Sequence, residues 1–255
     1  MTRCTLRFYD GLNDFLPPET RGRTFAFELY GTPSVKDTIE AAGVPHTEVD
    51  FILVDGHPVD FTALLQGGER IAVYPMFTQL DIAGFEQLLP APPDIYRFVL
   101  DVHLGRLARY LRLAGFDTLY SNTYTDPEIV EIAQHDERIV LTRDTGLLKH
   151  GAVTRGYWLR NTAPRTQLTE VVERFELHPH FTPFSRCMMC NGLVRATDLA
   201  EVRNRIPPRV AQHFDRFSVC NDCNRVYWPG SHYAKLAALL KEYAAGIDTP
   251  HTELS

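Results

Sequence analysis

The chain has 255 residues, 44% of them hydrophobic and 23% charged, with 26 Lys and Arg against 32 Asp and Glu for a net charge of −6. That length holds one large domain or two smaller ones, each with its own core. No apolar run approaches a membrane span, and Met1-Thr2-Arg3-Cys4 leads into strand-like alternation instead of a signal-peptide core, so a cytoplasmic protein without a membrane partner is expected. Residues 1 to 93 hold 6 Lys and Arg against 13 Asp and Glu, which argues against that part as the main nucleic-acid surface; the remainder is nearly neutral, so any basic groove there must come from local clustering.

Leu6, Phe8, Phe25, Phe27 and Leu29 mark two half-buried strands over Thr5 to Phe8 and Thr24 to Leu29. Ser34 then caps a helix with Asp37 three residues on, Val35, Ile39 and Ala42 form its inner face, and Gly43 ends it. Val49 to Val54 is a strand, Asp55-Gly56 signals a hairpin turn, His57 to Val59 returns, and Arg70 to Tyr74 closes the sheet. This β-β-α-β-β-β order resembles the ubiquitin-like β-grasp fold, in particular the small sulfur carriers of thiamine and molybdopterin synthesis. Those carriers end in a free Gly-Gly; here the chain continues through Tyr74-Pro75-Met76, so docking a partner, binding RNA or packing on the following domain is expected instead of sulfur transfer. Leu88-Leu89-Pro90-Ala91-Pro92-Pro93 then reads as a stiff linker.

The stretch from Phe98 to Asp144 carries the chemistry. A buried strand, Phe98-Val99-Leu100, stops at Asp101, and the pattern switches to helical spacing from His103 to Ala114. Leu104, Leu107, Ala108 and Leu111 form the apolar face, Arg106, Arg109 and Arg112 recur every third residue on another face, and Gly115 is placed for a left-handed cap. A strand at Thr118 to Tyr120 follows, Thr125 or Asp126 caps a helix with Pro127 at its first position, and Arg138 to Thr142 is a further strand ending at Asp144. The β-α-β-α-β order predicts a parallel sheet. Asp101 and Asp144 should project at the carboxyl ends of its strands, with Asp126 and Glu128 near the same edge. Carboxylates gathered there would repel one another unless Mg²⁺ or Mn²⁺ took up the charge, and such an ion could activate water for attack on a phosphodiester. Any one of these acids alone is explained as well by capping, Asp126 above all.

Four of the five cysteines form two CxxC pairs, Cys187-Met188-Met189-Cys190 and Cys220-Asn221-Asp222-Cys223. In a reducing compartment this pattern points to a structural zinc ribbon, with Asn191-Gly192 and Asn224 supplying tight turns. With all four positions filled by sulfur, no site stays open for substrate. Cys4 reads as a small strand residue. Arg186, Arg195, Arg203, Arg205, Arg209, Arg216 and Arg225 interleave with Tyr227, Trp228, His232 and Tyr233 around the ribbon, a mixture suited to RNA; of these the arginines read as a nucleic-acid surface, while Tyr227 and Trp228 read rather as ribbon core.

Leu104-Gly105-Arg106-Leu107-Ala108-Arg109-Tyr110-Leu111-Arg112, Gly115-Phe116-Asp117-Thr118, Leu141-Thr142-Arg143-Asp144, Ser185-Arg186-Cys187 with Cys190-Asn191, and Cys223 with Tyr227-Trp228-Pro229-Gly230-Ser231-His232 together resemble the Mut7-C ribonuclease family with its ubiquitin-like domain in front. The resemblance implies an α/β fold: a β-grasp domain over 1–88, a linker over 89–94, a PIN-like nuclease core over 95–184, a zinc ribbon over 185–243 and a flexible tail over 244–255. It implies a Mg²⁺- or Mn²⁺-dependent ribonuclease with Asp101, Asp126 and Asp144, or Glu128 in place of Asp126, at the catalytic edge. Arg106, Arg109, Arg112, Arg143 and Arg186 would hold RNA, and Cys187, Cys190, Cys220 and Cys223 zinc. Many PIN nucleases have a further acid after the next strand, and Gly156-Tyr157-Trp158-Leu159-Arg160-Asn161 has none. A non-catalytic RNA-binding or ribosome-associated adaptor is therefore the alternative.

Overall fold

The computed structural model describes residues 2–76 and 88–244; the tail expected from residue 244 lies, past Ala244 itself, outside them. In chain order the elements used below are β1 (Thr2–Phe8), β2 (Phe25–Leu29), α1 (Val35–Ala41), β3 (Phe51–Val54), β4 (His57–Pro58), β5 (Arg70–Tyr74), β6 (Arg97–Leu100), α2 (Gly105–Ala114) and β7 (Asp117–Tyr120). They continue with α3 (Asp126–His135), β8 (Ile139–Thr142), α4 (Thr145–Leu148), β9 (Gly156–Trp158), α5 (Pro164–Arg174), β10 (Val194–Thr197), α6 (Leu199–Val202), α7 (Pro208–His213), β11 (Phe217–Cys220), β12 (Val226–Tyr227) and α8 (Ser231–Ala244). Two compact units result, Met1–Asp94 with Thr125–Trp158, and Ile95–Tyr124 with Leu159–Ser255.

In the first unit the strands run in the order β2-β1-β5-β3-β4, with β1 parallel to β5 and the other pairs antiparallel. That is the β-grasp arrangement. Alternation in β1 puts Cys4, Leu6 and Phe8 inside, where they meet Ile39 of α1, Ile52 and Val73; each such side chain contributes about 1.5–3 kcal/mol by leaving water. Ser34 Oγ accepts from the Asp37 amide at 3.1 Å, the expected cap. The strand expected from Val49 begins only at Phe51, because His46–Glu48 wind into a 3₁₀ turn closed by Val49 N–H on the His46 carbonyl. A second 3₁₀ turn, Asp10–Phe15, had no sequence signal.

The same unit contains a parallel β8-α4-β9 crossover, and the 3₁₀ turn at His46–Glu48 is what the β-grasp sets against it. His46 Nδ1 lies 2.6 Å from Glu40 Oε1 and its Nε2 2.9 Å from the Val153 carbonyl. Glu48 Oε1 accepts from the Trp158 amide at 2.7 Å, Lys149 Nζ donates to the Glu40 carbonyl at 2.8 Å, and Phe15 packs on the Trp158 ring at 4.8 Å. Within this unit the β-grasp thus packs on the β8-α4-β9 segment.

In the second unit β6 and β7 form a parallel β-α-β with α2 between them. Leu104, Leu107, Ala108 and Leu111 are all buried, as their spacing predicts, and Gly115 ends α2 at φ 103°. The helix starts at Gly105, two residues later than expected, with Leu104 at its N-cap. Phe98, Phe116, Phe175 and Phe181 pack ring on ring in this unit at centroid separations of 5.4–6.0 Å. The ribbon follows as an antiparallel β10-β11-β12 sheet.

Candidate functional site

Asp144 follows β8 and caps α4, its Oδ1 accepting from the Gly146 amide at 2.7 Å. Its own amide donates to Thr142 Oγ1 at 2.9 Å, so a buried threonine fixes the turn that presents the carboxylate. Asp126 opens α3, but the capping there is done by its neighbours: Glu128 Oε2 accepts from both the amide and the hydroxyl of Thr125, at 2.7 and 2.8 Å. Those bonds hold the Glu128 carboxyl below its ordinary pKa. Glu128 is therefore a capping residue, while the exposed Asp126 carboxylate has no hydrogen-bond or ion-pair partner among the described residues. Capping does not explain Asp126.

Asp126 and Asp144 line one depression of about 440 Å³, together with Glu131, Gln134 and His150. The last three carried no sequence signal, since single polar residues on a helix or in a loop look like solvated surface. No third acid or histidine of that unit, among the described residues, closes with them into a full metal cage. The donor set still fits Mg²⁺, which is commonly held by one or two carboxylates and completed by water and substrate phosphate. Asp101 belongs to the other unit, directly after β6, and is 9% exposed with Oδ1 accepting from the Val102 amide at 2.6 Å.

The arginine stripe divides. Arg106 and Arg109 are exposed on α2, have no acid partner among the described residues, and line a cleft of about 720 Å³ with Tyr120, Ser121, Asn122 and Gln167. Gly105 makes room for that cleft wall: a Cβ there would meet the Tyr120 hydroxyl at 2.7 Å, and this hydroxyl donates to the Val102 carbonyl. Arg112 departs from the expectation that it binds RNA. It is 5% exposed, donates from Nε to the Thr118 carbonyl at 2.9 Å, and from Nη1 to the Met188 and Met189 carbonyls at 3.3 and 2.9 Å. Burial lowers its pKa, against the opposing influence of Cys190 and Cys187. Arg186 is likewise committed, with Nη1 on the Asn191 carbonyl at 2.9 Å and Nη2 3.5 Å from Asp117 Oδ2. Arg143 is exposed beside Asp144, and its carbonyl accepts from the Trp158 indole at 3.1 Å.

The four cysteines converge. All four Sγ atoms lie within 4.8 Å of one another, with Cys187 3.6 Å from Cys223 and Cys190 3.4 Å from Cys220. Tetrahedral zinc thiolates stand about 3.8 Å apart, so the cluster can hold a metal such as zinc with only a small adjustment. Asn191 at φ 74° and Asn224 at φ 57° make the left-handed turns expected after each knuckle. Burial raises the Cys187 thiol, but hydrogen bonds from the Tyr227 hydroxyl at 3.0 Å and from the knuckle amides outweigh it and bring the pKa to about 6. Cys190, desolvated among the other sulfurs, is pushed up to about 12. Four such thiols ionise together only around a cation. Asn191 also joins the knuckle to β7: its Oδ1 accepts from the Thr118 amide at 2.9 Å and its Nδ2 donates to Asp117 at 2.7 Å.

A β-grasp module, parallel β-α-β crossovers with exposed aspartates at a strand exit and a helix start, and a four-thiol centre define a nuclease-like class with an attached metal-binding ribbon. The chain belongs to the Mut7-C RNAse domain family, whose model matches residues 96–240, and residues 1–81 match the Mut7-C ubiquitin model. Among solved structures, the small archaeal modifier protein 1 of H. volcanii is similar at 14% identity and a TM-score of 0.24, over 29% of this chain and 98% of that one. No curated protein matches the chain.

Proposed function

We propose that the chain is a divalent-cation-dependent ribonuclease that hydrolyses RNA phosphodiester bonds in RNA processing or turnover. The observation that carries this reading is the uncommitted Asp126 carboxylate sharing a depression with Asp144 while Thr125 and Glu128 cap the helix. Asp126 and Asp144 would hold the Mg²⁺ or Mn²⁺, and the family resemblance adds Asp101 to the set. Bound there, the cation would supply Lewis-acid polarisation of the phosphate and a more acidic water. The chain's own residues do the rest. Thr142 fixes the Asp144 backbone, Arg106 and Arg109 offer unpaired positive charge to the phosphates, and the Tyr120 hydroxyl steadies the loop after Asp101 through the Val102 carbonyl. The four cysteines would hold zinc as a structural ion.

The test is a panel of structured and single-stranded RNAs incubated with the zinc-loaded protein, with and without Mg²⁺ or Mn²⁺. Cleavage that requires the added cation is expected. RNA binding that needs no cation, with no cleavage under any of them, would replace the nuclease by the adaptor that the acid-free exit of β9 suggests.

A further inference from the structure

Beside the ribbon, entirely within the second unit, lies a cavity of about 420 Å³ lined by Phe184, Met188, Tyr227, Trp228, Tyr233 and Arg216, among others. Its volume falls within the range of small-ligand sites. The Phe184 and Tyr233 rings stack with centroids 4.4 Å apart and planes at 28°, yet Tyr233 remains 42% exposed. Phe184 has φ 63°, a conformation a bulky side chain avoids; it is held there by its amide on the Leu113 carbonyl and by the Thr182 amide on the Ala114 carbonyl, both at 2.9 Å. Trp228 lies over Gly230, where a Cβ would come 3.2 Å from the indole nitrogen, and no described residue accepts from its N–H. Arg216 is exposed without an acid partner among the described residues, in contrast to Arg195 on Glu201 and Arg186 on Asp117.

We propose that this cavity takes one unpaired base of a single-stranded RNA, stacked on the Tyr233 and Trp228 rings, with Arg216 on the adjoining phosphate. The inference rests on the reading of the chain as an RNA-acting protein, but not on its cleaving RNA. Aromatic faces receive any base, which makes the pocket tolerant of sequence, while bases paired and stacked in a duplex cannot enter it. Arg216, which has no acid partner among the described residues, matches one phosphate.

Tyr233→Ala and Arg216→Gln alter exposed side chains and leave the zinc ligands in place. Binding of a short labelled single-stranded oligoribonucleotide and of a duplex is measured without added divalent cation, so that no cleavage intervenes. Tryptophan emission is followed in a Trp158→Phe background, which leaves Trp228 as the reporter, since the chain has two tryptophans. The expected result is single-strand binding weakened about tenfold by Tyr233→Ala, a smaller loss with Arg216→Gln, little change for duplex, and Trp228 emission quenched by the strand. Variants that bind the single strand as tightly as wild type, or Trp228 emission unmoved at saturation, overturn the proposal. If wild type fails to cleave RNA with Mg²⁺ while Tyr233→Ala still weakens binding, the base pocket stands and the nuclease reading falls; if wild type cleaves and Tyr233→Ala binds the single strand unchanged, the nuclease reading stands and the base pocket falls.

Discussion

Arg106 and Arg112 lie less than two helical turns apart on α2, carry the same side chain, and face different tasks. Arg112 is a buried strut joining α2 to β7 and to the first cysteine knuckle, whereas Arg106 and Arg109 line an open cleft. Arg112→Gln leaves carbonyls without their donor and should destabilise the chain by about 3 kcal/mol or more, read as a lower denaturation midpoint. Arg106→Gln and Arg109→Gln should leave stability nearly unchanged and reduce the salt dependence of RNA binding by roughly 0.7 of a unit of slope per contact with a single strand. An unchanged slope would remove them from the RNA surface. The acids divide in the same manner: Glu128→Gln should lower the denaturation midpoint slightly through the cap and spare cleavage, while Asp126→Asn should do the reverse. The apolar face of α2 was legible because its periodicity is local. The burial of Arg112 was not, since its carbonyl partners on Met188 and Met189 lie 76 and 77 residues away and a three-residue spacing reads the same in solvent or under a knuckle.

The ribbon is coupled to the α2-β7 pair through Arg112 and Asn191. Stripping the metal should therefore loosen more than the ribbon. The Thr118 amide, which donates to Asn191 Oδ1, should exchange with solvent much faster in the metal-free protein while amides of the β-grasp strands keep their protection. Protection of Thr118 that survives metal removal would refute the coupling. Because the thiols must lose protons to bind, metal affinity should fall steadily as pH drops, and more steeply below about 6, where Cys187 of the metal-free cluster is protonated as well; an affinity independent of pH would count against the thiolate cluster. The CxxC spacing and the turn residues Asn191 and Asn224 made this centre readable from sequence. The second task of the Asn191 side chain was hidden, because a left-handed turn position explains asparagine by itself.

For the molecule as a whole, the β-grasp module is fastened to the segment that carries Asp126 and Asp144. His46 meets Glu40 and Val153, Glu48 covers the Trp158 amide, and Phe15 packs on Trp158. Glu48→Ala should therefore destabilise by about 1–3 kcal/mol and raise proteolytic cutting between β8 and β9, although the residue lies outside that segment. Unchanged cutting would mean that the contact has no energetic weight. The β-grasp order was plain from alternation, Ser34 and Asp55-Gly56; its docking face was not, because a 3₁₀ turn of polar residues has no periodic signature and its partners lie more than 100 residues further on.

The proposed hydrolysis needs a cation held at Asp126 and Asp144. Its most direct test is Asp144→Asn, purified with its four-cysteine metal intact and its fold verified, assayed against wild type on the same RNA with Mg²⁺ or Mn²⁺. The predicted result is a cleavage rate lowered by about 100-fold or more while RNA binding is retained. Cleavage by Asp144→Asn at the wild-type rate would contradict it.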